Sequence, residues 1–157
     1  MSLQSVKDFF AARAPDIEII ELAESTATVE LAAKGHGVLP AQIAKTLLLK
    51  IGDEALLVVT RGDARLDNKK AKLAFGGKPK MPDAEEVVAL TGHPVGGVCP
   101  FGLATPLPVY CDISLKPFDE VIPAAGSTHS AVRINPLRLA ELVEARWVDV
   151  AQEIAAG

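Results

Sequence analysis

Residues 92–102 read Gly-His-Pro-Val-Gly-Gly-Val-Cys-Pro-Phe-Gly, with four glycines and two prolines in eleven positions. Glycine surrenders the most backbone freedom on ordering, and proline lacks an N–H and fixes φ. Neither a helix interior nor a central strand can be built from such a stretch. It must be a loop, stiffened by its prolines and bare of side chains where the glycines stand. Two readings stay open: a structural turn, or a surface where a ligand meets main chain.

The flanks sharpen the picture. Pro82-Asp83-Ala84-Glu85-Glu86 is a helix start, with Asp83 placed to cap and Glu86 at the capping-box distance. That helix is expected to run to Thr91 and stop at Gly92. Upstream, a helix is predicted over 3–13, stopped by Pro15, and a strand over 16–22. A short helix over 27–34 is expected to end at Gly35, with His36 in a surface loop and Pro40 opening a single turn. Residues 43–51 and 55–60, joined through Asp53, form a hairpin pattern. Residues 67–75 form a helix ended by Gly76-Gly77, with Asp67 and Asn68 as cap residues. Downstream, strands over 107–113 and 120–124 flank a turn at Lys116-Pro117. A polar turn follows at 126–130, then residues 131–134, a helix opened by Asn135-Pro136, and a closing strand over 146–150. Helices gathered early and strands often adjacent indicate α+β, with a mixed, largely antiparallel sheet.

With 157 residues, 49% apolar and 23% charged, the chain suits one globular domain over 1–157. It has no run of eighteen apolar residues and no basic start followed by an apolar stretch, so a soluble, cytoplasmic protein without a membrane partner is expected. Cys99 and Cys111 have no metal-ligand spacing, so neither a metal nor a cofactor is expected.

Two charge features stand out. Residues 61–80 carry seven basic side chains against Asp63 and Asp67, a local +5 within a chain of net charge −4. Such a segment is either a solvated face or a contact for a polyanion. In strand alternation Lys45 shares a face with Ile43, Leu47, Leu49 and Ile51. One ammonium on an apolar face must be paired, snorkelling or functional.

Three elements then fall in order: Ala44-Lys45-Thr46-Leu47, Gly96-Gly97-Val98-Cys99-Pro100-Phe101-Gly102 and Ala125-Gly126-Ser127-Thr128-His129, with Leu66-Asp67-Asn68-Lys69-Lys70 between the first two. Together they resemble the YbaK family of free-standing aminoacyl-tRNA deacylases, which is related to the editing domain inserted in bacterial prolyl-tRNA synthetase. The resemblance covers roughly residues 20–150. It implies a barrel-like mixed sheet with flanking helices, and hydrolysis of the ester joining a wrong amino acid to the tRNA 3′ ribose. It identifies Lys45 with the family's key lysine and 96–100 with its G-x-x-x-P loop, whose main chain lines the acyl pocket. His129 matches a histidine that some members use near the substrate.

On that basis the catalytic candidates are Lys45, His129 and Gly97, with the loop N–H groups from Gly97 to Cys99 as candidate oxyanion donors. The substrate-binding candidates are Gly96, Val98, Cys99, Pro100, Phe101, Ser127 and Thr128. Arg65, Lys69, Lys70 and Lys72 are candidates for acceptor-stem phosphates. The expected partner is aminoacylated tRNA, with a synthetase as a second candidate. For Cys99, nucleophile, pocket wall and inert packing all stay open. The Cys-tRNA(Pro) deacylase that gives the family its name has a cysteine earlier in the loop and a serine before the proline, where Val98 and Cys99 stand here. A pocket of glycine, valine and cysteine favours a small acyl group: alanine, serine, threonine or cysteine. A binding module of the same fold without turnover is the competing reading.

Overall fold

The computed structural model describes residues 2–153. Its main sheet has five strands in the order β5-β2-β3-β4-β7. Here β2 is Ile43–Ile51, β3 Glu54–Arg61, β4 Val109–Asp112, β5 Ile122–Pro123 and β7 Arg146–Val148. The long β2–β3 ladder is the expected antiparallel hairpin, with Lys45 opposite Thr60 and Ile51 opposite Glu54. The outer pairings β2–β5, β3–β4 and β4–β7 run parallel. A separate antiparallel pair joins β1 (Ile20–Glu21) to β6 (Ser130–Ala131). The sheet is thus mixed and curls into a half-barrel.

Five helices flank it among the described residues: α1 Ser2–Arg13, α2 Val29–His36, α3 Asn68–Phe75, α4 Ala84–Thr91 and α5 Pro136–Leu142. The capping residues read from the sequence act as caps. Asp67 accepts from the Lys70 N–H, Asp83 from the Glu86 N–H, and Asn135 from those of Leu137 and Arg138. Gly76 and Gly92 close their helices at φ 77°. The Glu86 carboxylate does not complete a capping box; it pairs with Lys50 at 2.7 Å.

Packing follows strand alternation. On one face Ala44, Leu48, Leu57, Val59 and Cys111 meet Val6 and Phe10 of α1 and Leu139 of α5. On the other face Leu49, Leu56 and Val58 meet Ala71 of α3, with Leu47, Ile51 and Phe75 at the margin. Lys45 belongs to this second face, as the alternation requires. Ile43 joins neither cluster and packs under α2 with Ala32, Ala33 and Ile122.

Several local expectations are corrected. α2 continues through Gly35 to His36, and Gly37 takes the left-handed closing position at φ 69°. His36 is therefore a buried helical residue and not part of a surface loop; burial lowers its pKa. The strand predicted over 16–22 shrinks to Ile20–Glu21. The strands either side of Lys116-Pro117 do not pair: β4 lies against β3, and β5 on the far side of β2.

Candidate functional site

The site lies where β5 parts from β2. Their pairing ends at Ala44 and Pro123, and beyond it β2 runs on with one edge uncovered. A cavity of about 490 Å³ occupies the gap, within the size range of small-molecule pockets. Its walls come from five segments: residues 26–29 with Ala32, strand β2 from Ile43 to Leu48, the start of α4, the glycine loop at Val95, Gly96 and Val98, and the strands β5 and β6. Most of the wall is apolar and small. Polar groups are few: Lys45, Thr46, Thr26, Thr28 and Ser130.

Close backbone contact holds these segments together, and this explains the paired glycines. A Cβ on Gly97 would stand 2.8–2.9 Å from the N, C and Cα of Ser127. One on Gly96, which sits at φ 89°, would meet Ala27 main chain at 3.0–3.1 Å. The loop is thereby clamped between the start of α2 and the 126–130 turn. The Gly126 N–H donates to the Gly97 carbonyl (3.1 Å), and Thr128 O accepts from the Thr26 N–H (2.6 Å) and hydroxyl (3.1 Å). A buried histidine ties the loop's own ends: His93 Nε2 lies 2.7 Å from the Phe101 carbonyl and 3.5 Å from Cys99 Sγ.

Lys45 extends its half-buried side chain to the Ala64 carbonyl, to which Nζ donates. Burial lowers its pKa, Asp63 opposes that shift, and the Arg65 guanidinium adds to it. An ammonium held partly out of water, with one neutral hydrogen-bond partner among the described residues, retains attraction for an incoming anion. Arg65 is exposed just beyond, and Lys69 and Lys72 are exposed on α3. Lys70 is otherwise engaged: its ammonium holds Asp149 at 3.0 Å and the Ala151 carbonyl at 2.9 Å.

Of the other residues singled out from the sequence, Gly96 and Val98 line the cavity with Lys45. The Gly97 N–H donates to the Pro94 carbonyl (2.9 Å), so it is not free as an oxyanion donor. Cys99, Pro100 and Phe101 are buried beneath the loop and do not line the cavity. Burial raises the Cys99 thiol to about 12, the wrong direction for a nucleophile. Ser127 Oγ bridges to Ser130 Oγ at 2.6 Å, and Thr128 Oγ1 lies 3.0 Å from His129 Nδ1. His129 is exposed on the turn, outside the cavity lining.

Phe101 is fully buried against Phe10, with ring centroids 4.6 Å apart, and against Phe9 at 5.5 Å. Phe101→Ala is therefore expected to lower unfolding free energy by about 3–5 kcal/mol, measured by urea denaturation.

Sequence reading missed the contributions of Thr26, Thr28, Val29 and Ala32, and of Met81, Pro82 and Val87. The available signal was the small, polar run Ser25-Thr26-Ala27-Thr28 ahead of α2, in which Thr28 caps the helix by accepting the Leu31 N–H at 3.1 Å.

Comparison with known proteins bears on this arrangement. The family model described as aminoacyl-tRNA editing domain matches residues 23–142, which contain every wall of the cavity. The chain belongs to the aminoacyl-tRNA editing domain family. Within it, the chain is 44% identical to the uncharacterized protein YwhH of Bacillus subtilis over 155 residues, 98% of this chain and 99% of YwhH. Proline–tRNA ligase of Bacillus licheniformis is 31% identical over 105 residues, 66% of this chain but only 18% of the ligase. A crystal structure described as a candidate trans-editing enzyme for prolyl tRNA synthetase superposes with a TM-score of 0.90 at 35% identity, covering 97% of this chain and 98% of the other. No helix among the described residues is long and apolar enough to cross a membrane.

Proposed function

We propose that this editing domain acts in trans as an aminoacyl-tRNA deacylase, hydrolysing the ester of a mischarged small amino acid on tRNA(Pro) or a related tRNA. The observation that carries the proposal is the placement of Lys45. Lys45 lines the cavity of about 490 Å³, its ammonium holds the Ala64 carbonyl, and Arg65, Lys69 and Lys72 in the segment that follows Ala64 are exposed. This polarity suits a ligand with a compact acyl group at one end and a phosphodiester chain at the other.

Water adds to the ester carbonyl, the bond to the ribose oxygen breaks, and that oxygen leaves with a proton. An activated ester needs only a placed water and a stabilised oxyanion, with no covalent enzyme intermediate. Lys45 neutralises charge on the terminal nucleotide. The ribose hydroxyl beside the ester orients the water, and His129 on the neighbouring turn joins it when the tRNA end is seated. The oxyanion is met by main-chain N–H groups that are not already bonded, which removes Gly97 from that role. Discrimination rests on cavity size; one methyl is worth about 1–3 kcal/mol, so more than one small amino acid is accepted.

The test is a deacylation panel of Ala-, Ser-, Thr-, Cys- and Pro-tRNA(Pro). Rapid loss of one or two small-residue esters supports the proposal. Survival of every ester while tRNA still binds would leave a binding module instead. Affinity for tRNA is expected to fall with salt, and Lys69→Ala with Lys72→Ala to flatten the log–log slope by about 1 per residue. A titration at several ionic strengths measures this, and an unchanged slope would exclude α3 from the contact.

A further inference from the structure

Strand β2 has an opening in its hydrogen-bonded edge, and the opening faces the cavity. At one end Ala44 pairs with Pro123; at the other Lys50 and Lys80 exchange main-chain hydrogen bonds of 2.8 and 2.9 Å. Lys50 makes that exchange on the side away from β3. Main-chain groups alternate in direction along an antiparallel strand, so Thr46 and Leu48 turn their N–H and C=O to the same side. No main-chain or side-chain partner meets those groups among the described residues, and both residues line the cavity. Thr46 adds a buried hydroxyl that also lacks a partner. Across the gap, Ala124 and Ser130 form the other lip.

An opening bounded at both ends after two outward-facing residues is too short to accept a strand from another protein. It has room for one residue-sized unit. We infer that the aminoacyl group of the substrate docks on this edge as a one-residue strand at Thr46. Its α-ammonium donates to the Thr46 carbonyl, and its ester carbonyl oxygen accepts the Thr46 N–H. An aminoacyl ester carries the same N–Cα–C=O sequence as a chain residue, so both bonds form as in an antiparallel exchange pair. The Thr46 N–H then serves as an oxyanion donor held by the sheet, a position that needs no reorganisation during reaction. Main-chain docking reads only what all α-amino acids share. Selection among amino acids is left to the apolar wall of Val29, Ala32, Ile122 and Ala131.

This inference rests on the deacylase reading for its substrate, but binding tests it independently of turnover. The probes are 3′-alanylamino-3′-deoxyadenosine, which is not hydrolysed as an ester, and its propionylamino counterpart, which lacks the α-ammonium. Isotope-labelled protein is titrated with each and followed by amide NMR. The alanyl compound is expected to bind at least about 10-fold more tightly, as a lost hydrogen bond to a charged group implies. It should also shift the Thr46 amide and slow its hydrogen exchange. Equal affinity for the two compounds, an unmoved Thr46 amide, or failure of both to bind would overturn the inference. Selective binding by a protein that fails the deacylation panel would sink the deacylase reading and leave the docking edge standing.

Discussion

Lys45→Ala is expected to reduce deacylation kcat/KM by about 100-fold or more while the protein stays folded, the loss typical of removing one preorganised charge-stabilising donor. Among the described residues the ammonium hydrogen-bonds to the Ala64 carbonyl alone, and the Lys45 side chain is half-buried, so water can take over that bond. Lys45→Arg is expected not to restore the rate. The strand face around Lys45 holds Leu47 and Leu49, and a planar guanidinium needs a wider berth than a compact ammonium. Steady-state kinetics on the best ester, with circular dichroism for folding, measure both. Full activity in Lys45→Ala would remove the lysine from the mechanism. The pH dependence carries a second signature. Burial, opposed by Asp63, sets the Lys45 pKa below the ordinary lysine value of 10.5. The rate should fall as pH rises through that lowered pKa, because the acting species is the ammonium. Stability moves the other way. Between the lowered pKa and 10.5 the unfolded chain binds more protons at this position than the folded one, so this group's contribution to folding improves with rising pH.

Gly97→Ala is expected to damage both stability and activity through a single added methyl. The added carbon would lie 2.8–2.9 Å from three backbone atoms of Ser127, and backbone cannot yield as the end of a flexible side chain can. The loop and the 126–130 turn must separate, which breaks the 3.1 Å bond from the Gly126 N–H to the Gly97 carbonyl. A loss of about 2–3 kcal/mol in unfolding free energy is expected from overpacking, together with loss of activity because Gly96 and Val98 are cavity wall. Gly52→Ala supplies the control. Gly52 sits at φ 62° in the β2–β3 turn with nothing within 4 Å of the added carbon, so only left-handed backbone strain of about 1–2 kcal/mol applies. Denaturation and deacylation on both variants separate the two effects: Gly52→Ala loses stability alone. A Gly97→Ala protein of wild-type stability would show that the clamp does not hold the loop.

Much of this architecture is written locally in the chain. Asp67, Asp83 and Asn135 cap because a side-chain oxygen ahead of an amphipathic run has free N–H groups within reach. The 43–51 and 54–61 hairpin follows from alternation around a tight turn, and the same alternation puts Lys45 on an apolar face before any partner is known. The G-x-x-x-P loop is legible as a loop because its composition forbids anything else.

The rest was settled by distant segments meeting. Gly35 reads locally as a helix end, yet α2 runs through it to His36, two residues beyond the expected end at Lys34, with Ala32 and Ala33 packed against Ile43 and Ile122. Lys70 reads as one basic residue among four until Asp149, from the far end of the chain, takes its charge. Phe101 and Cys99 belong to the loop by sequence and to the core by packing, because a stiff loop with Pro100 must turn some side chains inward. Residues 26–29 enter the cavity only because Gly96 and Gly97 let three backbones approach within contact distance. The open edge of β2 has no sequence signal at all: it exists because β5 pairs for two residues and then departs. Caps, turns and strand faces depend on neighbours a few residues away, so the sequence alone determines them. Cavity walls, unpaired strand edges and the fate of each charge depend on residues scores of positions apart, and only the tertiary structure decides them.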